Sequence, residues 1–139
     1  GPAAARSTRT ECTGSETVID YLDEGTWTFP GRNIHVRGMV TRYQEDSTCP
    51  ELAGPNTVVM NANWDASYTG PMWGTGRNET ALGAWEGHWH GMITPEGCSY
   101  QAVLHGVSGE VEGMKATLTA DCSSPVSTWT ATILDPHGD

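Results

Sequence analysis

The chain has 139 residues, with 7 basic and 17 acidic side chains, a net charge of -10 and a single lysine, Lys115. A reader of nucleic acid needs a basic stripe to displace phosphate counterions, and none is present. The same deficit disfavours anionic membrane surfaces, and no apolar run reaches the roughly 18–20 residues of a helical membrane span.

The length suits one domain able to bury its own core, and the acidity suits a soluble chain. Four cysteines, Cys12, Cys49, Cys98 and Cys122, are widely spaced with no C-x-x-C pair, which argues against a zinc knuckle or a thioredoxin motif. An even number in this pattern points to two disulfides and an oxidising compartment, secreted, extracellular or periplasmic. Four free thiols in a cytosolic chain are the alternative. Gly1-Pro2 reads as a remnant of protease cleavage, so a signal peptide is expected to have been removed upstream.

In chain order, residues 1–16 are small and polar and are expected to form a flexible arm ordered only near Cys12, with a single barrel domain over 17–139. No window carries a capped helical period; 16–24 comes nearest. Beyond it, glycine and proline punctuate the chain about every ten residues, the rhythm of an all-β sandwich or barrel. Strands are expected over 26–29, 33–43, 57–64, 72–80, 84–93, 99–107, 115–122 and 127–134. These would close an antiparallel barrel of about eight strands and leave no exposed edge; a two-sheet β-sandwich is the rival architecture.

If 99–107 and 115–122 form a hairpin turning near Glu110 and Val111, facing positions sum to about 220. Cys98 and Cys122 satisfy that sum and would face each other within bridging range. Cys12 then pairs with Cys49 by elimination.

Period-2 alternation sorts 84–93 into two faces. One carries Trp85, Gly87, Trp89, Gly91 and Ile93, which reads as packing, large rings covering glycines in a curved sheet. The other carries Glu86, His88, His90 and Met92. Pairing 84–93 with 99–107 around 95–97, with facing positions summing to about 192 to 194, brings His105 near His88. Three imidazoles so gathered are candidate ligands for zinc or copper with an open coordination position. Glu86 would complete the site or serve as a base. Without a metal, the histidines are candidate proton carriers or plain solvated residues. His35, counted in phase with Arg37, Met39, Thr41 and Tyr43, is expected to line the same cavity. Trp73 and Arg77 share a face, and Arg77 either pairs with Glu79 or orients an anionic ligand. Asn78-Glu79-Thr80 is a glycosylation sequon. Asn61, Asn63 and Asp65 have the look of a calcium cluster but lack the rest of the motif, and 63–68 reads as a turn or strand end.

Six segments in order carry a resemblance: His35-Val36-Arg37-Gly38, Cys49-Pro50-Glu51-Leu52-Ala53-Gly54, Asn61-Ala62-Asn63-Trp64-Asp65, Gly70-Pro71-Met72-Trp73-Gly74-Thr75, Gly83-Ala84-Trp85-Glu86-Gly87, and His105 through Gly113. Over 33–135 the chain resembles small secreted proteins with an allene oxide cyclase-like barrel. The resemblance implies an eight-stranded barrel with a central cavity. Barrels of this broader type include cyclases of fatty-acid epoxides, dirigent proteins and pericyclic cyclases, which mould a substrate and share no catalytic motif. The chain departs from its look-alikes at His88 and His90, where they carry a small or hydroxyl residue.

Three functions are therefore expected as alternatives. The first is a cavity that binds a small apolar or aromatic molecule and acts as an isomerase or cyclase, with His88, His90, His105 and Glu86 as polar contacts. The second is a mononuclear zinc or copper enzyme on His88, His90 and His105. The third is a non-catalytic binding or oligomerisation module, a homo-oligomer included, suggested by the six tryptophans.

Overall fold

The computed structural model describes residues 7–137, so Gly1-Pro2, expected above to be a cleavage remnant, lies outside the described residues. Nine strands follow in chain order: β1 (Thr8–Asp23), β2 (Thr26–Thr28), β3 (Ile34–Ser47), β4 (Gly54–Trp64), β5 (Gly70–Thr80), β6 (Gly83–Thr94), β7 (Gly97–Gly106), β8 (Lys115–Asp121) and β9 (Ser127–Asp135). They form one antiparallel sheet in the order β1-β9-β8-β7-β6-β5-β4-β3-β2, and a further pairing of β1 with β3 closes it. The result is the expected closed barrel of eight strands, with β2 as a short extra strand.

The closing strand is not the expected one. Residues 8–16, read as a flexible arm, are the first half of β1 and pair with β9 from Thr8↔Asp135 to Glu16↔Ser127. Residues 16–24, the nearest approach to a helix, are largely its second half, paired with β3 from Gly14↔Ser47 to Asp23↔Val40. The physical reason is edge satisfaction: a helix or loose arm would leave β9 and β3 with unpaired backbone groups. Residues 26–28 merely continue this strand along β3, opposite Arg37, Val36 and His35.

Both disulfides are those expected, Cys12–Cys49 and Cys98–Cys122. The β7–β8 register follows suit, with Ser99 opposite Asp121 and His105 opposite Lys115. The β6–β7 register differs from the expected one. Thr94 faces Gly97 across a two-residue turn, Pro95-Glu96, so His88 lies opposite Val103 and His105 opposite Glu86. A two-residue loop is the usual tight hairpin connection, one residue shorter than the loop expected.

The two ends of the barrel are closed differently. At one end, a 3-10 turn at Pro50–Leu52 and another at Gly109–Val111 drop Leu52 and Val111 into the interior against Trp85, and all three are almost fully buried. The Trp85 indole N–H donates to the Glu51 carbonyl at 2.8 Å, tying the plug to the wall. The Cys12–Cys49 bridge anchors the same turn to β1. Near the other end, Ile34, Val36, Ala62, Trp64 and Met72 form a second cluster, with Trp27 edge-on to Trp64 at 6.2 Å. β9 starts opposite Glu16, so among the described residues β1 beyond that point has no strand partner on its β9 side. Val18 and Tyr21, on this bare stretch, are exposed yet line the interior cavity and mark its mouth.

Candidate functional site

Between the plug and the second cluster lies a cavity of about 330 Å³. Its wall is mostly apolar, with Met39, Val58, Met60, Met72, Leu104 and Leu118 among the lining residues. Gly76 and Gly87 face each other across β5 and β6 and both line the space, so two wall positions contribute no side chain.

The polar part of the wall is concentrated on one side. Glu16 on β1 and Glu45 on β3 are direct cross-strand partners, and both line the cavity while only 8% and 4% exposed. The Tyr100 hydroxyl, from β7, donates to Glu16 Oε1 at 3.2 Å. Trp129 Nε1, from β9, donates to Glu45 Oε1 at 3.0 Å, and Asn56 Nδ2, from β4, donates to Glu45 Oε2 at 3.0 Å. Asn78 on β5 pairs with Asn56 across the sheet and donates Nδ2 to the Leu52 carbonyl at 3.0 Å. Its Oδ1 is buried and has no hydrogen-bond partner among the described residues.

Burial, and then the hydrogen bond and negative charge of Glu16, push the Glu45 carboxyl up to about 10. Two carboxylates this close in a poorly solvated space cannot both ionise cheaply, so the pair holds one proton at neutral pH. Burial and the Glu16 charge likewise push the Tyr43 phenol up to about 12, and the Tyr100 phenol rises for the same reasons. Among the described residues, no lysine or arginine lines the cavity.

The residues expected from the sequence fall elsewhere, with one exception. Trp85, Gly87, Trp89, Gly91 and Ile93 face inward on β6, leaving Glu86, His88, His90 and Met92 on the exposed outer face. His88 borders the cavity only through its place in the strand between Gly87 and Trp89. His105, opposite Glu86, is on the same outer face. Among the described residues, no three His, Cys, Asp or Glu side chains are arranged to hold a metal ion, the expected zinc or copper trio included. The large indoles take the interior because a barrel of this size needs bulky apolar side chains to fill it, and the hydrated imidazoles are left to water.

On β3, the bulge between Val36 and Met39 breaks the alternation. Gly38 supplies it with φ of 71°, a left-handed conformation open to glycine. Ile34 and Val36 point inward before it; Met39, Thr41, Tyr43 and Glu45 line the cavity or are buried after it. Tyr43 is thus the expected residue that does line the cavity. His35 and Arg37 lie on the opposite face from Ile34 and Val36. Arg37 sits 5.2 Å over the ring of Trp73 and donates to Asn63 Oδ1 at 2.8 Å. Trp73 is therefore on the outer face too. Arg77 is exposed and bonds Glu79 at 3.2 Å and also Glu86, the structural pairing rather than an inward anion clamp. The sequon at Asn78 is occupied by packing: the amide is 4% exposed and faces the barrel interior. Asp65, from the calcium-like cluster, caps the β4–β5 turn by accepting from Ser67 N at 2.8 Å and Thr69 N at 3.2 Å.

Glu16 and Glu45 are the functional candidates that sequence reasoning missed. Glu45 follows Thr41 and Tyr43 at period 2, so the phase of β3 pointed to it; Glu16 sits in a polar stretch with no apolar alternation to mark its face. Comparison with protein-family models, with curated proteins and with solved structures gives no match to this chain.

Proposed function

We propose that the barrel binds a small, largely apolar molecule in its cavity and promotes its isomerisation or cyclisation by proton transfer. The carrying observation is the Glu16–Glu45 pair, held inside a mostly apolar cavity by Tyr100, Trp129 and Asn56. A carboxyl held well above the usual carboxylate range, as Glu45 is, keeps its proton at neutral pH and can serve as a general acid, and a second carboxyl beside it lets the pair both give and take a proton. Such a pair contributes typically about 10²–10⁴-fold to a proton-transfer step. The apolar wall would fold the substrate and keep water from competing. The catalytic roles fall to Glu16 and Glu45, with Tyr100 and Tyr43 as hydroxyl contacts, instead of to the outer histidines. The allene oxide cyclase-like resemblance of the segments quoted above supports a substrate-moulding cavity. The two disulfides support a secreted or periplasmic setting.

The test uses an enolisable bicyclic ketone, 2-tetralone, in D2O. Saturable shifts of the Met39, Met60 and Met72 methyl resonances, with deuterium incorporation accelerated by the wild type and lost in Glu45→Gln, are the expected result. Absence of methyl shifts across a panel of apolar ketones, or equal exchange rates with and without protein, overturns the proposal.

A further inference from the structure

The polar wall of the cavity has an unbalanced hydrogen-bond inventory. Four of its donors are engaged within the protein: Tyr100 Oη on Glu16, Trp129 Nε1 and Asn56 Nδ2 on Glu45, and Asn78 Nδ2 on Leu52. Beside them lies unused acceptor capacity, at Asn78 above all. The Leu52 carbonyl fixes the Asn78 amide so that its Oδ1 is the unbonded end, at a residue that is 4% exposed and lines the cavity. A buried acceptor without a partner is destabilising and invites a donor. Asn78 is joined to the carboxyl pair through its cross-strand neighbour Asn56, which holds Glu45.

Charge is unbalanced in the same direction. The pair brings negative charge into a cavity that no lysine or arginine lines among the described residues. Among the described residues His88 is the one histidine at its wall, and its side chain follows the strand alternation outward. A buried charge is normally paired, and here the missing half is a cation. Aromatic rings from Tyr43, Trp89 and Tyr100 also line the space, and such faces attract cations.

We infer that the cavity is built for an apolar molecule bearing a protonated amine, whose N–H groups reach the Glu16–Glu45 pair and Asn78 Oδ1. Neutral molecules of the same shape fill the apolar part, and a hydroxyl can meet an acceptor, but they leave the negative charge without a counter-ion. Carboxylic acids add a like charge and are rejected. This inference rests on the cavity reading above and names the chemical class of its ligand.

The experiment is calorimetric titration at pH 7 with three compounds sharing one bicyclic frame: 2-aminotetralin, 2-tetralol and tetralin-2-carboxylate. The amine is expected to bind at least tenfold tighter than the alcohol, and the acid weakest. In the Glu16→Gln/Glu45→Gln double variant the preference for amine over alcohol should collapse, while the alcohol's affinity is kept. The retained alcohol affinity also reports an intact cavity. If the alcohol or the acid matches the amine in the wild type, the ligand class is wrong and the cavity reading stands. If none of the three binds, the cavity reading falls and this inference falls with it. A preference for the amine that survives in a double variant still binding the alcohol overturns the assignment to the carboxyl pair.

Discussion

Glu16 and Glu45 face each other across the β1–β3 seam that closes the barrel, and both carboxyls are turned into its interior. The seam joins the part of the chain least like a strand in sequence to the half of β3 that follows the Gly38 bulge. Placing an acid pair there makes stability depend on pH in an unusual direction. Glu45 titrates near the ordinary carboxylate value of 4.5 when unfolded and is pushed up to about 10 in the fold, mainly by burial. A raised folded value means the contribution is fully present below about pH 4.5 and is lost as pH rises toward 10. The groups facing it are Glu16 from β1, Tyr43 from β3 and Tyr100 from β7, and the Glu16 charge adds to the burial effect. The urea midpoint is expected to fall between pH 5 and pH 9, and to fall less in Glu45→Gln. The general repulsion of an acidic chain acts on both proteins, so the difference between the two slopes is the readout. Parallel slopes would show that Glu45 titrates normally in the fold.

What could be read from the sequence follows the physics that each signal reports. Alternation along 84–93 divided β6 correctly into two faces, because side-chain period in a strand is geometric. It could not say which face is inside, since Trp/Gly and Glu/His both have plausible outward and inward readings until the curvature is known. Cysteine positions located one hairpin register, and the β7–β8 pairing agrees with it. The β6–β7 register had only a turn to fix it, and a turn shorter by one residue moved it. On β3 the bulge at Gly38 inverted the phase of His35 and Arg37 relative to Tyr43. β1 was invisible because its stability comes from pairing on both edges and from the Cys12–Cys49 bridge, not from its own apolar pattern.

The outer histidines offer a direct contrast with the interior acids. His88, His90 and His105 are exposed on the barrel wall. Exposed substitutions away from special features usually change stability by no more than about 0.5 kcal/mol. The triple variant His88→Ala/His90→Ala/His105→Ala should therefore unfold within about that margin of the wild type in urea and retain binding of 2-tetralone. Loss of ketone binding in this folded variant would return the outer face to consideration.

The two disulfides close loops of 37 and 24 residues, Cys12–Cys49 at the plugged end and Cys98–Cys122 beside the second cluster. The chain-entropy relation gives each about 3–4 kcal/mol, with little difference between them. Replacing either pair with alanine should lower the unfolding free energy by about that amount, measured by urea titration. A much larger loss for Cys12–Cys49 would mean that the bridge also holds the plug in place, because Leu52 follows Cys49 by only three positions.

Trp85 is the largest fully buried side chain and joins both plugging turns, touching the core formed by Leu52 and Val111. Truncating a buried Trp to Ala costs roughly 3–5 kcal/mol. Trp85→Phe isolates the polar share: it keeps most of the ring volume but leaves the Glu51 carbonyl without the indole donor. About 1–2 kcal/mol is expected for that loss. The two variants should therefore differ clearly in urea midpoint, and equal losses would mean that the hydrogen bond, not the packing, holds the plug.

Gly76 and Gly87 give the sharpest separation of cavity from wall, because they face each other and yet have different surroundings. A Cβ built on Gly76 meets only Asn56 Oδ1, at an ordinary 3.5 Å, whereas one on Gly87 runs into the Val103 carbonyl and comes within 2.8 Å of Leu104 Cδ2. The Gly76 methyl would project into the cavity it lines, and the Gly87 methyl would strike a neighbouring strand. Gly76→Ala should fold at least as well as the wild type, because alanine restricts the unfolded chain and is worth about 0.4–1 kcal/mol where the backbone permits it. Gly87→Ala should lose about 1–3 kcal/mol or more, since a paired backbone carbonyl cannot step aside without opening the β6–β7 ladder. Ligand binding should separate in the opposite sense. Gly76→Ala removes space beside Asn56 and Asn78 and is expected to weaken 2-aminotetralin in a protein of undiminished stability. A stable Gly76→Ala that binds 2-aminotetralin as tightly as the wild type would put the ligand at the mouth, near Val18 and Tyr21, and away from the carboxyl pair.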